Sequence, residues 1–131
     1  MSVVVTRLEG MKFKAEADGL EVVSGRVRED APLEGMTPGR LLTASLGLCT
    51  AMTIAGYCEK RGVRADGLKV VVAAKTDKAV GRAVAFDVEI NMGRPLTEEE
   101  RKVVLEAAQS CYVGKTLLGS PSITHRLVEN S

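Results

Sequence analysis

Three cysteines are the residues of this chain best suited to chemistry: Cys49, Cys58 and Cys111. Cys49 lies inside an uncharged run from Leu41 to Cys58, LLTASLGLCTAMTIAGYC, and Cys111 closes a second helical pattern further along. A thiol among small and apolar residues, with a second thiol elsewhere, points to reversible oxidation. That chemistry needs two sulfurs that meet and a neighbouring group that stabilises a thiolate. On a helix each residue turns by about 100°, which puts Cys58 roughly 180° around from Cys49. Those two cannot bond within one helix, and Cys58 reads as a small core hydrophobe. Cys111 sits between Gln109-Ser110 and Tyr112-Val113-Gly114-Lys115, a partly polar setting where a structural thiol has less reason to be.

The other chemical candidates are weaker. His125 is the only histidine and stands alone in an alternating segment, so neither a metal site nor a Cys-His dyad is expected. Gly114-Lys115-Thr116 resembles the end of a phosphate loop, but the position that needs the earlier glycine is Gln109 and the segment follows a helix. Glu98, Glu99 and Glu100 read as charges favouring a helix N-terminus. No cofactor is expected.

Net charge is +1, with Lys and Arg dispersed, and two Phe, two Tyr and no Trp leave few surfaces for base stacking. Nucleic acid is therefore excluded as the expected partner. An odd, low cysteine count argues against a secreted disulfide scaffold. The N-terminal MSVVVTRLEG has too short an apolar run and no basic leader for a signal peptide, so the expected location is the cytoplasm, where a disulfide would be transient. The Leu41–Cys58 run approaches the length of a membrane span. Its Thr43, Ser45, Thr50 and Thr53 and the amphipathic segments around it favour a central helix wrapped by other elements, with no membrane contact.

The elements that must hold these residues can be read from local signals. Val3–Leu8, Lys12–Ala17 and Leu20–Val23 read as strands, with Asp18-Gly19 as a hairpin turn. Residues 24–37 read as a loop. Thr37-Pro38 opens a helix that ends at Lys60-Arg61 before Gly62, about 36 Å long at 1.5 Å per residue. Gly67–Lys75 and Arg82–Met92 alternate as strands around a turn at 76–81. Thr97-x-x-Glu100 is a capping box for a second helix with Val103, Val104, Ala107 and Ala108 as its apolar stripe. Ser122–Val128 reads as a closing strand. Strands, long helix, strands, helix and strand make a single α+β domain over residues 1–131. Thr43, Gly47, Ala51 and Ala55 form a small-residue row on the long helix, which expects close approach of the second helix or of the same helix in another copy.

Against this reading, the residues Thr37-Pro38-x-x-Leu41-Leu42-x-Ala44-x-Leu46-Gly47-x-Cys49-Thr50-Ala51-Met52 resemble the central-helix signature of the OsmC/Ohr family, the osmotically inducible and organic hydroperoxide resistance proteins. Cys111-Tyr112-Val113-x-Lys115-Thr116-Leu117 resembles that family's second cysteine motif, with Tyr112 where proline is usual. Glu9-Gly10-Met11-Lys12-Phe13 and the hairpin after it fit the family's N-terminal region. The resemblance implies an intertwined α+β homodimer, with long helices buried between strands of both subunits and active sites at the interface.

It also implies thiol-dependent reduction of organic hydroperoxides. Cys49 would be the peroxidatic residue and Cys111 the resolving one, with an external dithiol, lipoyl-type among the candidates, as reductant. An apolar pocket would favour organic peroxides, since burial contributes about 0.8 kcal/mol per methylene. In the family a glutamate follows the proline of the central helix and orients an arginine that lowers the cysteine pKa; this chain has Gly39 there, followed by Arg40. Arg7 and Arg40 are the candidates for the missing cation. The rival expectation is a member of the same family that senses redox state, or binds a small apolar or thiol ligand, with little turnover.

Overall fold

The computed structural model describes residues 1–130. Two compact units make up the chain, the first Met1–Ala44 and the second from Ser45 onward.

In the first unit, β1 (Val4–Glu9), β2 (Met11–Ala17) and β3 (Leu20–Arg26) form an antiparallel sheet in sequence order. Asp18 and Gly19 both take positive φ, 51° and 80°, which gives the β2–β3 hairpin a turn whose twist matches its strands. The register shifts between Arg7 and Glu9, where the β1–β2 connection tightens. Past β3 the chain stays irregular to the start of the long helix, tied back by a Gly25–Gly35 bridge, by Ser24 Oγ donating to the Met36 carbonyl (2.7 Å), and by a Lys12–Glu34 ion pair (2.9 Å).

The long helix α1 spans Pro38–Arg61, as its Pro start and Lys60-Arg61-Gly62 end imply. Gly62 takes φ +67°, and the Val63 N–H reaches back to the Cys58 carbonyl at 2.9 Å, closing the last turn. Val63 also packs against the core that holds Cys58, so the stop signal and the packing agree.

In the second unit β4 (Lys69–Asp77) and β5 (Arg82–Asn91) pair antiparallel, with Val72 opposite Val88 and Val70 opposite Ile90. Helix α2 (Glu98–Gln109) begins with the capping box intact: the Glu100 N–H donates to Thr97 Oγ1 at 3.2 Å, and the Thr97 N–H to Glu100 Oε1 at 3.0 Å. Its inward face meets the end of α1 in a core of Ile54, Cys58, Met92, Val104 and Ala107. Arg94 grips Glu100 through both nitrogens (3.2 and 3.0 Å) and donates to the Arg64 carbonyl at 2.7 Å, pinning the β5–α2 connection.

Four expectations are corrected. Helix α1 is not wrapped on all sides within this chain: Leu46, Thr50, Ile54 and Cys58, four residues apart, are buried, while Leu48 and Met52 are 62% and 71% exposed. An apolar composition sets how much surface wants cover, not which side receives it. At Gly47 the small-residue row meets a strand and not the second helix: a Cβ there would lie 3.2 Å from Val72 Cγ2 of β4. Ser122–Val128 forms no strand. That segment is exposed throughout, and an alternating pattern becomes a strand only where a sheet edge is available to pair with it. Finally, a short helix α3, Tyr112–Leu118, follows Cys111 where none was expected.

Candidate functional site

The site is built in the second unit, where the middle of α1 faces the α2–α3 junction. Thr50 and Cys49 leave α1 on adjacent faces; Thr50 is buried and Cys49 half-buried. Cys111 is the N-cap of α3, with extended backbone (φ −64°, ψ 129°), and its Sγ accepts a hydrogen bond from the Gly114 N–H at 3.4 Å. This use of sulfur where Ser or Asp usually stands fixes the orientation of the thiol. Cys111 is only 2% exposed, in a setting that is buried and still partly polar. The flanking residues Gln109 and Tyr112 are the exposed ones, while the thiol itself turns inward.

Cys49 lies near Cys111: its i+1 neighbour Thr50 places Oγ1 3.7 Å from Cys111 Sγ. The Cys49 thiol is pulled below its ordinary pKa, foremost by the backbone N–H of Val113, which hydrogen-bonds to the thiolate form. Burial opposes this, and hydrogen bonds from the Cys111 thiol, the Tyr112 N–H and the Thr53 hydroxyl assist it. The Thr53 hydroxyl, the smallest of these influences, donates to the Cys49 carbonyl at 2.6 Å. Every one of these donors is electrically neutral. Two of them, the Tyr112 and Val113 N–H groups, are the first of α3, left free because a helix cannot satisfy its own opening donors. Thr50 Oγ1 donates to the Leu46 carbonyl at 2.8 Å and lies 3.7 Å from Cys111 Sγ, so a hydroxyl also borders the second sulfur.

Cys58 is apart from this arrangement. It is fully buried in the core, and its thiol is pushed up by that burial, against the lowering pull of Arg94 and with a further rise from Glu100. A thiol held protonated and walled in is inert. Of the two arginines, Arg7 lies on β1 with its Nε donating to the Gly10 carbonyl at 2.7 Å, and Arg40 is exposed in the first turn of α1. His125 falls in the exposed segment after α3, and Gly114-Lys115-Thr116 lies within α3 itself.

The donors on Cys49 escape the sequence because peptide N–H groups carry no side-chain signature. One signal was present: Thr50 and Thr53, hydroxyls beside and one turn beyond Cys49, are unusual in so apolar a run.

An α+β protein with paired antiparallel strands, a long central helix and two thiols brought together at a short helix's N-terminus defines a dithiol class of site. The profile of the family described as OsmC-like protein matches residues 29–126, and the chain belongs to that family. Its fold is that of solved relatives. An OsmC-like protein from Mycoplasma pneumoniae superposes with a TM-score of 0.75 at 17% identity, covering 91% of this chain and 87% of that one. A protein of Psychrobacter arcticus, named for osmotic stress induction and a detoxification response, gives 0.75 at 19%, covering 88% and 87%. The organic hydroperoxide resistance protein OhrB of Bacillus subtilis gives 0.57 at 19%, covering 92% and 93%. No curated protein matches the chain.

Proposed function

We propose that this protein is a cysteine-based reductase of organic hydroperoxides, with Cys49 as the attacking thiol and Cys111 as the resolving one. The observation that carries this reading is the placement of Cys111, the N-cap of α3, against the part of α1 that holds Cys49, with Thr50 Oγ1 3.7 Å from Cys111 Sγ. Family membership supports a redox or peroxide-related role.

The steps balance with the residues present. The Cys49 thiolate attacks one peroxide oxygen and the O–O bond breaks; the other oxygen leaves with the electron pair and takes a proton as the alcohol. Cys49 is then a sulfenic acid. The Cys111 sulfur attacks the Cys49 sulfur, the S–O bond breaks, and water leaves with the Cys111 proton. The resulting disulfide is reopened by an external dithiol through exchange. The Gly114 N–H, already on Cys111 Sγ, holds that sulfur in place for this second step.

In this reading the N-terminal amides of α3 supply the thiolate stabilisation that the family obtains through an arginine, which offsets Gly39 standing where a glutamate is usual. Arg7 and Arg40 are secondary, adding charge without being required. The protein acts as a cytoplasmic homodimer whose second copy covers the exposed Leu48–Met52 face of α1.

The test is turnover of cumene hydroperoxide with a dithiol donor. Cys49→Ser should abolish it, whereas Cys111→Ser should still consume one equivalent and leave a sulfenic acid that a dimedone probe captures. Equal consumption by wild type and Cys49→Ser would reject the mechanism. Arg7→Ala and Arg40→Ala should each keep most of the rate.

A further inference from the structure

The sulfur of Cys111 is held from two elements at once. The Gly114 N–H of α3 donates to it at 3.4 Å, and the Thr50 hydroxyl of α1 reaches it at 3.7 Å. Thr50 is 3% exposed and Cys111 2%, so water does not compete for either contact. The hydroxyl is itself fixed: it also donates to the Leu46 carbonyl, one turn back, at 2.8 Å, a bond that selects one rotamer of a β-branched side chain. That carbonyl already takes a backbone N–H within the helix, so it does not depend on Thr50 for a partner.

We propose that Thr50 is a positioning residue of the resolving step: its hydroxyl and the Gly114 N–H occupy the two lone pairs of the Cys111 sulfur and turn its S–H toward Cys49. The proposal rests on the hydroperoxide reductase reading and adds to it how the second sulfur is aimed. A thiol sulfur carries two lone pairs and one proton, so two donors leave a single direction for the S–H. The anchor sits on the residue that follows Cys49 in α1, so one peptide link ties the aim of Cys111 to its target. The Cys111 thiol as a donor to Cys49 agrees with the lowering of the Cys49 thiol below its ordinary pKa.

Once Cys49 is a sulfenic acid, the Cys111 S–H bond breaks and its electron pair, already facing Cys49, forms the S–S bond. The Cys49 S–O bond breaks in the same step, and the oxygen leaves as water with the Cys111 proton. Without the Thr50 hydroxyl one lone pair of Cys111 is unclaimed, and the S–H can rotate to other directions. The sulfur then spends less time aimed at Cys49. The earlier attack on peroxide, made by Cys49 itself, does not depend on that rotation.

The test compares Thr50→Val, which keeps the shape and removes the oxygen, with Thr50→Ser, which keeps the hydroxyl and removes a buried methyl. Full-length protein receives one equivalent of cumene hydroperoxide without reductant. Acid quenching and peptide mapping then follow loss of the Cys49 thiol separately from formation of the Cys49–Cys111 bond. Thr50→Val should form the bond about fivefold more slowly, the worth of one hydrogen bond, with loss of the Cys49 thiol within about twofold of wild type. Thr50→Ser should stay within about twofold in both steps although it melts lower, since the lost methyl leaves a cavity. Stability and bond formation thus rank the two variants in opposite order, which a role in packing alone would not produce. Bond formation at the wild-type rate in Thr50→Val, or equal slowing in Thr50→Ser, overturns the proposal. Failure of the reductase reading is seen separately, as wild-type Cys49 that peroxide does not oxidise; diamide, which joins two thiols without peroxide, then decides the aim of Cys111 by the same ranking of the variants.

Discussion

Replacing Tyr112 by proline isolates the part played by the α3 amides. Tyr112 is the first residue of α3, where the helix does not need the N–H and the fixed φ of proline fits. Cys111 before it already has φ −64° and ψ 129°, the region that a residue preceding proline prefers. Tyr112→Pro should therefore fold normally while removing one hydrogen bond from the Cys49 thiolate. A hydrogen bond to a charged group contributes about 1.5 kcal/mol at the low end of its range, and the low end applies because Cys49 is partly open to solvent. That is about a tenfold change in proton affinity, and so about tenfold less thiolate at any pH below the pKa. The remaining thiolate is more nucleophilic, with a Brønsted slope of about 0.4–0.5, which recovers about threefold. Iodoacetamide labelling of Cys49, followed by peptide mass against pH, should show a net slowing of about threefold near neutrality and a midpoint moved upward. Thermal stability should be unchanged or slightly raised. A folded variant with an unmoved or lowered midpoint would refute the role given to these amides.

The remaining predictions concern the frame. Glu100 is held down to about 2, first by its hydrogen bond from Arg94 and then by the Thr97 N–H. A depressed carboxylate gives stability that is full above its ordinary pKa, near 4.5, and is lost as pH falls through about 2. The stability difference between wild type and Arg94→Gln should accordingly shrink across that window, and a difference of constant size down to pH 2 would contradict the pairing. Gly47→Leu forces side-chain atoms toward Val72 Cγ2 and should cost about 1–3 kcal/mol in urea unfolding, whereas a neutral result would mean that α1 does not press on β4. Thr97→Ala breaks the capping box and should cost about 1 kcal/mol, measured the same way.

The features legible in the sequence are those set by neighbouring residues. Asp18-Gly19, Thr97-x-x-Glu100 and Arg61-Gly62 each carry their own geometry, and the elements they bound lie within a few residues of expectation. Features that depend on distant partners were not legible. Ser122–Val128 has an alternating pattern but no sheet edge beside it, and the uniform apolarity of α1 does not say that Thr50 faces inward and Met52 outward. Helix α3 has seven residues, too few to display a helical period, and its start depends on a cysteine acting as N-cap. For that reason the cysteines were visible as candidates while the groups that tune Cys49 were not.

The most direct measurement is a peptide map of the protein after one equivalent of cumene hydroperoxide, taken within the first turnover and without reductant. The account predicts a single cross-linked peptide joining Cys49 to Cys111, with Cys58 still a free thiol. A map in which Cys49 remains reduced, or in which the bridge involves Cys58, would contradict it.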